Sequence, residues 1–289
     1  MQPQASRGRM IGAIEVTPLW DGPLPSSLEK IPDPAHRAEA ETLLAKAGPD
    51  ALTMNVYGFL LRLGDRLALI DTGAGRLMNP ELGRLSAALN AQGVAPQRIE
   101  TIFMTHVHRD HFGGLADDTG KAAFPNAEIV VHDKEARFWL DTELADMPQR
   151  ARRYRDAARQ ALSLYAKRLR RVKDNEGLAG VSAHLAPGHT PGHTCWLVQS
   201  GGQAILAWGD LIHIAHIHLP SPHIAMEYDL DPAVAKQSRL RVLDWVASDG
   251  IAVAGAHLPA PGIGAIVRSG TAYAYAPDRS VTAAQAAAR

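Results

Sequence analysis

Cysteine is nearly absent from this chain. Cys195 is the single one in 289 residues, so an intrachain disulfide is excluded. That fits a reducing compartment, and the cytoplasm is the expected location. An excess of either charge is also missing, because 30 Lys and Arg balance 30 Asp and Glu. Bulk charge therefore does not point to a polyanion, and neither nucleic acid nor a membrane is expected as a partner. The opening stretch MQPQASRGRMIGAIEV holds no apolar run of signal-peptide length, and no transmembrane helix is recognisable. No G-x-S-x-G motif occurs, so a serine on a strained strand-to-helix turn is not available as a nucleophile. Cys195 follows PGHT in a strand-like run and reads as a small buried residue.

What the chain does contain is ordinary for a globular protein: 46% hydrophobic and 21% charged residues. One compact domain over residues 1–289 is expected, with 1–10 and 280–289 as loose termini. Apolar alternation predicts a strand in 11–20 and strands over 52–63 and 66–70, joined by a hairpin turn at Gly64-Asp65. Residues 21–50 read as a wandering loop with a helix at 34–47, where Pro34 sits in the first turn. Helical spacing covers 82–92, and Pro232 opens a helix in 231–248. A long basic helix is expected over 147–173. Further strands fall at 99–105, 128–132, 183–186, 194–198, 204–208 and 251–254. Strands mixed with helices in this order make an α/β protein.

The strongest chemical signal is His106-Val107-His108-Arg109-Asp110-His111. Three imidazoles and a carboxylate leave one strand within six residues. One metal ion rarely takes four ligands so closely spaced. Side chains at 106 and 108 point one way and those at 110 and 111 another, which suits two metals side by side. Each metal then needs donors from elsewhere. Other strand ends offer them: His189 in PGHTPGH, Asp210 after ILAWG and His257 after IAVAGA. Nitrogen and carboxylate donors without thiolate favour two divalent ions, zinc first, with manganese, iron or cobalt as alternatives.

The motifs T-H-V-H-R-D-H, G-H-T, G-D and A-H, in that order, resemble the metallo-β-lactamase superfamily, and DTG at 71–73 matches another of its strand ends. The stretches LIDTGAG, NPELGRL, MTHVHRDHFGGL, FPNA, KEARFWL, GHTPGHT and AHLPAPGIG are similar to its methyl parathion hydrolase-like subgroup. The resemblance implies an αββα four-layer sandwich. By position it implies that His106, His108 and His189 hold one metal, that Asp110, His111 and His257 hold the second, and that Asp210 bridges both. It implies a hydroxide shared between metals about 3.5 Å apart as the nucleophile. The implied substrates are small: lactones or aryl esters, with organophosphate triesters as a side activity. Phe138 and Trp139 fall on the subgroup's aromatic pocket pattern, and Met78 is a further pocket candidate that stands where the pattern has a bulky aromatic residue. A metallonuclease or other phosphodiesterase of the same superfamily is the alternative, and a non-catalytic metal-binding protein is a further one.

Three residues near these motifs are candidates for supporting roles. Asp71 and His193 are expected to orient the donors from behind. His213 lies three residues beyond Asp210, in GDLIHIAHIHLPSPH, and is assigned to the pocket and to catalysis alongside Asp110 and Asp210. If that stretch continues as a strand, alternation puts Ile212, Ile214, His216 and His218 on one side and His213 on the other. His216, His218 and His223 are not read as a third metal site. Ten Lys or Arg residues between Arg150 and Lys173 face only Asp156. They read as a solvated face that pairs with acidic groups of this chain or of a second copy in a homodimer. Tyr154, Leu162, Leu164 and Tyr165 are candidates for an apolar side turned to the pocket.

Overall fold

Alternate apolar residues need two buried faces, and RLALI shows where each face goes. Leu67 and Leu69 enter one hydrophobic cluster, whereas Ala68 and Ile70 enter another. A strand buried on both sides lies inside a layered fold. The computed structural model of the protein describes residues 6–282. In chain order it forms β1 (Arg9–Ile11), β2 (Ile14–Pro25), α1 (Pro34–Leu44), β3 (Thr53–Leu63), β4 (Arg66–Ile70), α2 (Leu85–Ala91) and β5 (Ile99–Phe103). Next come α3 (Arg109–Phe112), β6 (Glu128–His132), α4 (Asp133–Ala136), α5 (Gln149–Ser163), β7 (Leu169–Val172), β8 (Gly177–Leu178) and β9 (Val181–Leu185). The chain continues with β10 (Thr194–Ser200), β11 (Gln203–Ala207), α6 (Ala215–His218), α7 (Pro232–Asp249), β12 (Ala252–Ala254), β13 (Ile263–Ser269) and β14 (Ala272–Pro277).

Strands β1 to β7 make one sheet in sequence order, and β14 to β8 make the other. Their inner faces meet in a shared core that includes Phe59, Ile70 and Phe103 from the first and Trp196, Val198 and Ile205 from the second. Helices α2 and α5 cover the outer face of the first sheet through Leu85, Leu89, Ala158 and Leu162. Helix α7 covers the second through Val242, Leu243 and Val246. This is the expected αββα sandwich. No helix among the described residues is long and apolar enough to cross a membrane.

Several local expectations are corrected. The leader is not loose throughout: β1 pairs with β2, and Arg7 bridges Thr282. Residues 1–5 and 283–289 lie outside the described residues. The basic helix stops at Ser163, because 169–172 leaves it to pair in parallel with β6. That strand covers an edge that would otherwise expose unpaired backbone groups. The stretch after Asp210 is not a strand. Gly209 turns the backbone at φ +54, a short 3-10 turn follows, and α6 takes up 215–218. A Cβ at Gly209 would lie 2.8 Å from His193 Nε2 and from Thr105, so only glycine fits this turn. The hairpin β13–β14 was not anticipated; its outer strand, AYAYAP, has little apolar alternation.

A bulge between Trp20 and Gly22 in β2 points Asp21 inward. Its carboxylate accepts hydrogen bonds from the amides of Ala74 (2.9 Å), Gly83 (3.0 Å) and Leu85 (2.8 Å). Gly73, just before, has no room for a Cβ, which would fall 2.6 Å from that carboxylate. Asp21 thus pins both ends of the 71–85 segment that borders the site. Removing the acceptor leaves buried donors without partners. Asp21→Ala is expected to lower the unfolding free energy by about 2–4 kcal/mol in denaturant titrations. A loss within about 0.5 kcal/mol, the range of a bland surface change, would show that the segment holds itself.

Candidate metal centre

Five strand ends meet at one edge of the sandwich. Asp71 follows β4, the 104–112 segment follows β5, and the 186–193 loop lies between β9 and β10. Asp210 follows β11 and His257 follows β12. Two cross-sheet bonds fix this edge. The amide of Thr194 donates to the carbonyl of Thr105 at 2.9 Å, and that of Tyr57 donates to Ala256 at 3.0 Å.

Three imidazole nitrogens converge on one point. His106 Nε2 lies 3.1 Å from His108 Nδ1 and 3.2 Å from His189 Nε2, and the last two are 2.9 Å apart. Nitrogens bound tetrahedrally to one ion at about 2.0–2.1 Å stand about 3.3 Å apart. The second set is His111 Nε2, His257 Nε2 and Asp110 Oδ2, with the carboxylate 3.6 and 3.5 Å from the two nitrogens. Asp210 lies between the sets. Its Oδ1 is 2.9 Å from His111 Nε2 and 3.1 Å from His257 Nε2. Its Oδ2 is 3.3 Å from His189 Nε2 and 3.7 Å from His106 Nε2. The two groups of potential donors each lie within 4.8 Å and share Asp210.

The rear nitrogens show why the front ones point inward. His111 Nδ1 is 2.8 Å from Asp71 Oδ2, His189 Nδ1 is 3.1 Å from Asp229 Oδ1, and His257 Nδ1 donates to the carbonyl of Asn55 at 2.7 Å. The Thr105 hydroxyl donates to Asp71 at 2.7 Å, which leaves its oxygen to accept from His106 Nδ1 at 3.1 Å. With the outer nitrogens of His106, His111, His189 and His257 engaged in this way, their inner nitrogens are aimed at the cluster. His193 faces away from this convergence: its Nδ1 donates to the carbonyl of Ala186, and its Nε2 accepts the amide of Asp210, both at 3.0 Å.

Electrostatics give the same picture. Burial and the neighbouring His111 push His106 well below the usual imidazole value, and burial with His189 pushes His108 down to about 3. Burial opposes charge on His111 and His189 as well. Asp210, Asp110 and Asp71 nevertheless hold His111 well above the usual value, and Asp210 with Asp229 raises His189 to about 9. The buried carboxylates favour positive charge among the imidazoles. A divalent cation would supply that charge in place of protons. Donor type, spacing and charge therefore fit a binuclear metal site.

A buried carboxylate that sequence reading missed ties two of the loops together. Glu135 accepts from the amides of Val107 (2.8 Å) and Gly192 (3.1 Å), from the hydroxyl of Thr190 (2.6 Å) and from Trp139 Nε1 (2.8 Å). It lies in KEARFWL, where nothing but its neighbours' identity distinguishes it from a surface glutamate. Asp229 was missed too; its second oxygen meets Arg239 at 3.2 Å in a fully buried pair.

The cavity over the donors is lined by Met78, His108, Asp110, Tyr154, His213 and Tyr228, among others. Phe138 and Trp139 do not line it. A π-helical turn over Arg137–Asp141 takes both into the hydrophobic layer under α5, where the Trp139 ring packs edge-on behind His108 at 5.9 Å. Of the residues proposed for an apolar lining on the basic helix, Tyr154 reaches the cavity, whereas Leu162 and Tyr165 are buried in the core. His213 is stacked on His257, with ring centres 5.8 Å apart, and its Nε2 lies 3.4 Å from Asp210 Oδ2. His218 is buried, and its Nδ1 accepts the amide of Ile214. His223 is at the surface with Glu39, 3.0 Å away. Basic side chains of the 150–173 segment pair partly with acids, as Arg170 does with Glu128 and Arg171 with Asp141. Others serve backbone carbonyls instead: Arg152 caps Met147 and Ala145, and Arg159 caps Trp139 and Leu140.

Residues 53–257 match the family model of the metallo-beta-lactamase superfamily. The chain belongs to that superfamily. Among solved structures, it is similar to the hydrolase AbOPH of the beta lactamase superfamily, with 30% identity, a TM-score of 0.89, and 96% of this chain and 99% of that one covered. It is also similar to AidC, a dizinc quorum-quenching lactonase solved with its product N-hexanoyl-L-homoserine, at 28% identity and a TM-score of 0.88 over 96% and 99% of the two chains. A shorter stretch of 62 residues, 22% of this chain, is 39% identical to ribonuclease Z of Pyrococcus furiosus. That match spans 17% of the relative's length. Metallo-beta-lactamase superfamily membership accounts for the order of the histidine and aspartate motifs along the strands.

Two outcomes are expected. Metal-free protein titrated with zinc should take up about two equivalents and gain at least about 4 °C in Tm once zinc is well above its dissociation constant. An unchanged Tm with no zinc bound would refute the metal centre. Glu135→Ala should cost about 3 kcal/mol or more of stability, because it strands three buried N–H groups and a hydroxyl. A cost below about 1 kcal/mol would mean that water or relaxation replaces the carboxylate.

Proposed function

We propose that this protein is a binuclear metal-dependent hydrolase of lactones or aryl esters. The observation that carries the reading is Asp210, whose two oxygens face separate donor sets at the floor of a cavity that also has apolar walls. Full-length likeness to AbOPH and to the lactonase AidC supports it. His106, His108 and His189 would hold one ion, Asp110, His111 and His257 the other, and Asp210 both. Bound there, a pair of divalent ions supplies water of lowered pKa and a Lewis acid for the carbonyl oxygen.

The chain's own residues do the rest. Asp210 orients the attacking water, and Asp110 takes its proton. The water oxygen forms a bond to the carbonyl carbon, the bond to the leaving oxygen breaks, and the withdrawn proton passes to that leaving oxygen. His213 turns toward the same cavity; its Nε2 lies 3.4 Å from Asp210 Oδ2, and its Nδ1 has no hydrogen-bond partner among the described residues. It is placed to donate to the carbonyl oxygen as negative charge builds there, an electrostatic contribution of several kcal/mol at most. Asp71, Asp229 and Thr105 hold the imidazoles in one tautomer. His193 fixes the backbone of Asp210. Met78, Tyr154 and Tyr228 shape the substrate space.

A second reading, phosphodiester hydrolysis, is favoured by the short stretch resembling ribonuclease Z. A kinetic panel separates the two on protein of measured metal content: lactones, 4-nitrophenyl esters, a phosphotriester and bis(4-nitrophenyl) phosphate. The ester or lactone arm is expected to dominate kcat/KM, with any triester turnover as a lesser activity. Dominance of the diester would transfer the assignment to the second reading. His106→Ala and Asp210→Ala are each expected to reduce hydrolysis by about a thousandfold or more while circular dichroism remains native. Near wild-type rates in either variant, with metal supplied, would sink the mechanism.

A further inference from the structure

The cavity has a basic side that the hydrolytic chemistry does not use. Besides apolar Leu24, Met54 and Met78, its lining includes Arg109, Arg150 and Arg153. None of the three guanidiniums pairs with a carboxylate among the described residues; Arg109 is half-buried, and Arg150 and Arg153 are exposed at the rim. Arg109 and Arg153 pack against Tyr154, with Cζ 4.7 and 4.6 Å from the ring centre. Arg109 also reaches the carbonyl of Leu77 at 3.4 Å. Arg150 donates to the carbonyls of Leu230 and Glu227. The Tyr154 ring in turn lies 6.2 Å from that of His108, so the basic group sits one ring away from the donor cluster.

Acidic groups in the same lining are engaged elsewhere. Asp110 and Asp210 face imidazoles, and Glu227 pairs with Lys30 at 2.7 Å. The cavity therefore offers three guanidiniums without ion-pair partners among the described residues. Pre-positioned side chains lose little freedom when a ligand arrives. A guanidinium makes its strongest hydrogen bonds to anionic oxygens, often in pairs. A wholly neutral substrate would offer none of the three a counter-charge. An anionic one would pair with them and would be drawn in by the local field.

We propose that this site selects esters or lactones carrying a second, non-reacting anionic group, a carboxylate foremost, joined to the reacting carbonyl by a short apolar spacer. Arg109, Arg150 and Arg153 bind that group, the apolar lining takes the spacer, and the donor cluster receives the carbonyl. The assignment rests on the hydrolase reading above and deepens it.

A matched set of substrates tests it: 4-nitrophenyl hexanoate, the 4-nitrophenyl monoester of adipate, and the hexanoate analogue ending in trimethylammonium. At low ionic strength the adipate ester is expected to exceed the hexanoate in kcat/KM by about fivefold or more, with the cationic ester slowest. The preference should shrink in about 0.5 M salt, where screening is strong. Arg109→Gln combined with Arg153→Gln should bring the adipate-to-hexanoate ratio close to one. Calorimetric titration with the corresponding anilides reads binding apart from turnover, and the acidic anilide should bind more tightly. Equal or reversed preference in the wild-type protein, or a preference undiminished in the double variant, overturns the proposal and leaves the hydrolase reading intact. Turnover of none of the esters by metal-loaded protein overturns both.

Discussion

Placing one small carboxylate among four imidazoles is the constraint on which the rest of this structure depends. Asp210 is 4% exposed, and its two oxygens approach His111 and His257 on one side and His189 and His106 on the other. Burial opposes the charge on Asp210, yet the surrounding imidazoles keep its carboxyl well below the ordinary range. Such an arrangement holds only if the rings cannot turn away, and here each ring is fastened from behind. The fastening groups come from different elements: Asp71 after β4, Thr105 after β5, Asn55 within β3 and Asp229 ahead of α7. The site is thus assembled by the whole sandwich and by no single loop.

Buried carboxylates recur as the means of assembly. Asp21 gathers three amides of the 71–85 segment, and Glu135 gathers four donors from two loops and its own helical turn. An isolated charge in such places would be costly. Several charge-assisted hydrogen bonds to fixed backbone groups offset that cost and fix the loop geometry. Both carboxyls feel burial first, which pushes them above the ordinary range, and the donors counter it. This balance favours rigidity over net stabilisation.

Sequence made the chemistry more legible than its setting. His106, His108, Asp110 and His111 announce themselves by close spacing, and His189, Asp210 and His257 by their place at strand ends. Strand positions followed from alternation where strands were long and apolar, as in β3 and β4. It failed at β7 and β14, whose residues are partly charged or small and whose pairing is decided by a neighbour's open edge. It failed again after Asp210, where one glycine in a left-handed conformation ends the strand. Glu135, Asp229 and Asp21 were invisible because a buried acid is recognised by its partners, and those lie far away in sequence. Phe138 and Trp139 show the complementary error: a π-helical turn re-aimed both rings, and no residue type signals such a turn.

One consequence concerns how this scaffold can change over generations. Leu24, Met78, Arg150, Arg153 and Tyr154 border the cavity from segments that supply no donor to the cluster. The cluster, by contrast, is tied across both sheets through the Thr194–Thr105 and Tyr57–Ala256 bonds. Substitutions in the rim would therefore leave the cross-sheet ties of the floor in place. Divergence in such a protein would proceed by turnover of the rim, with the floor inherited unaltered.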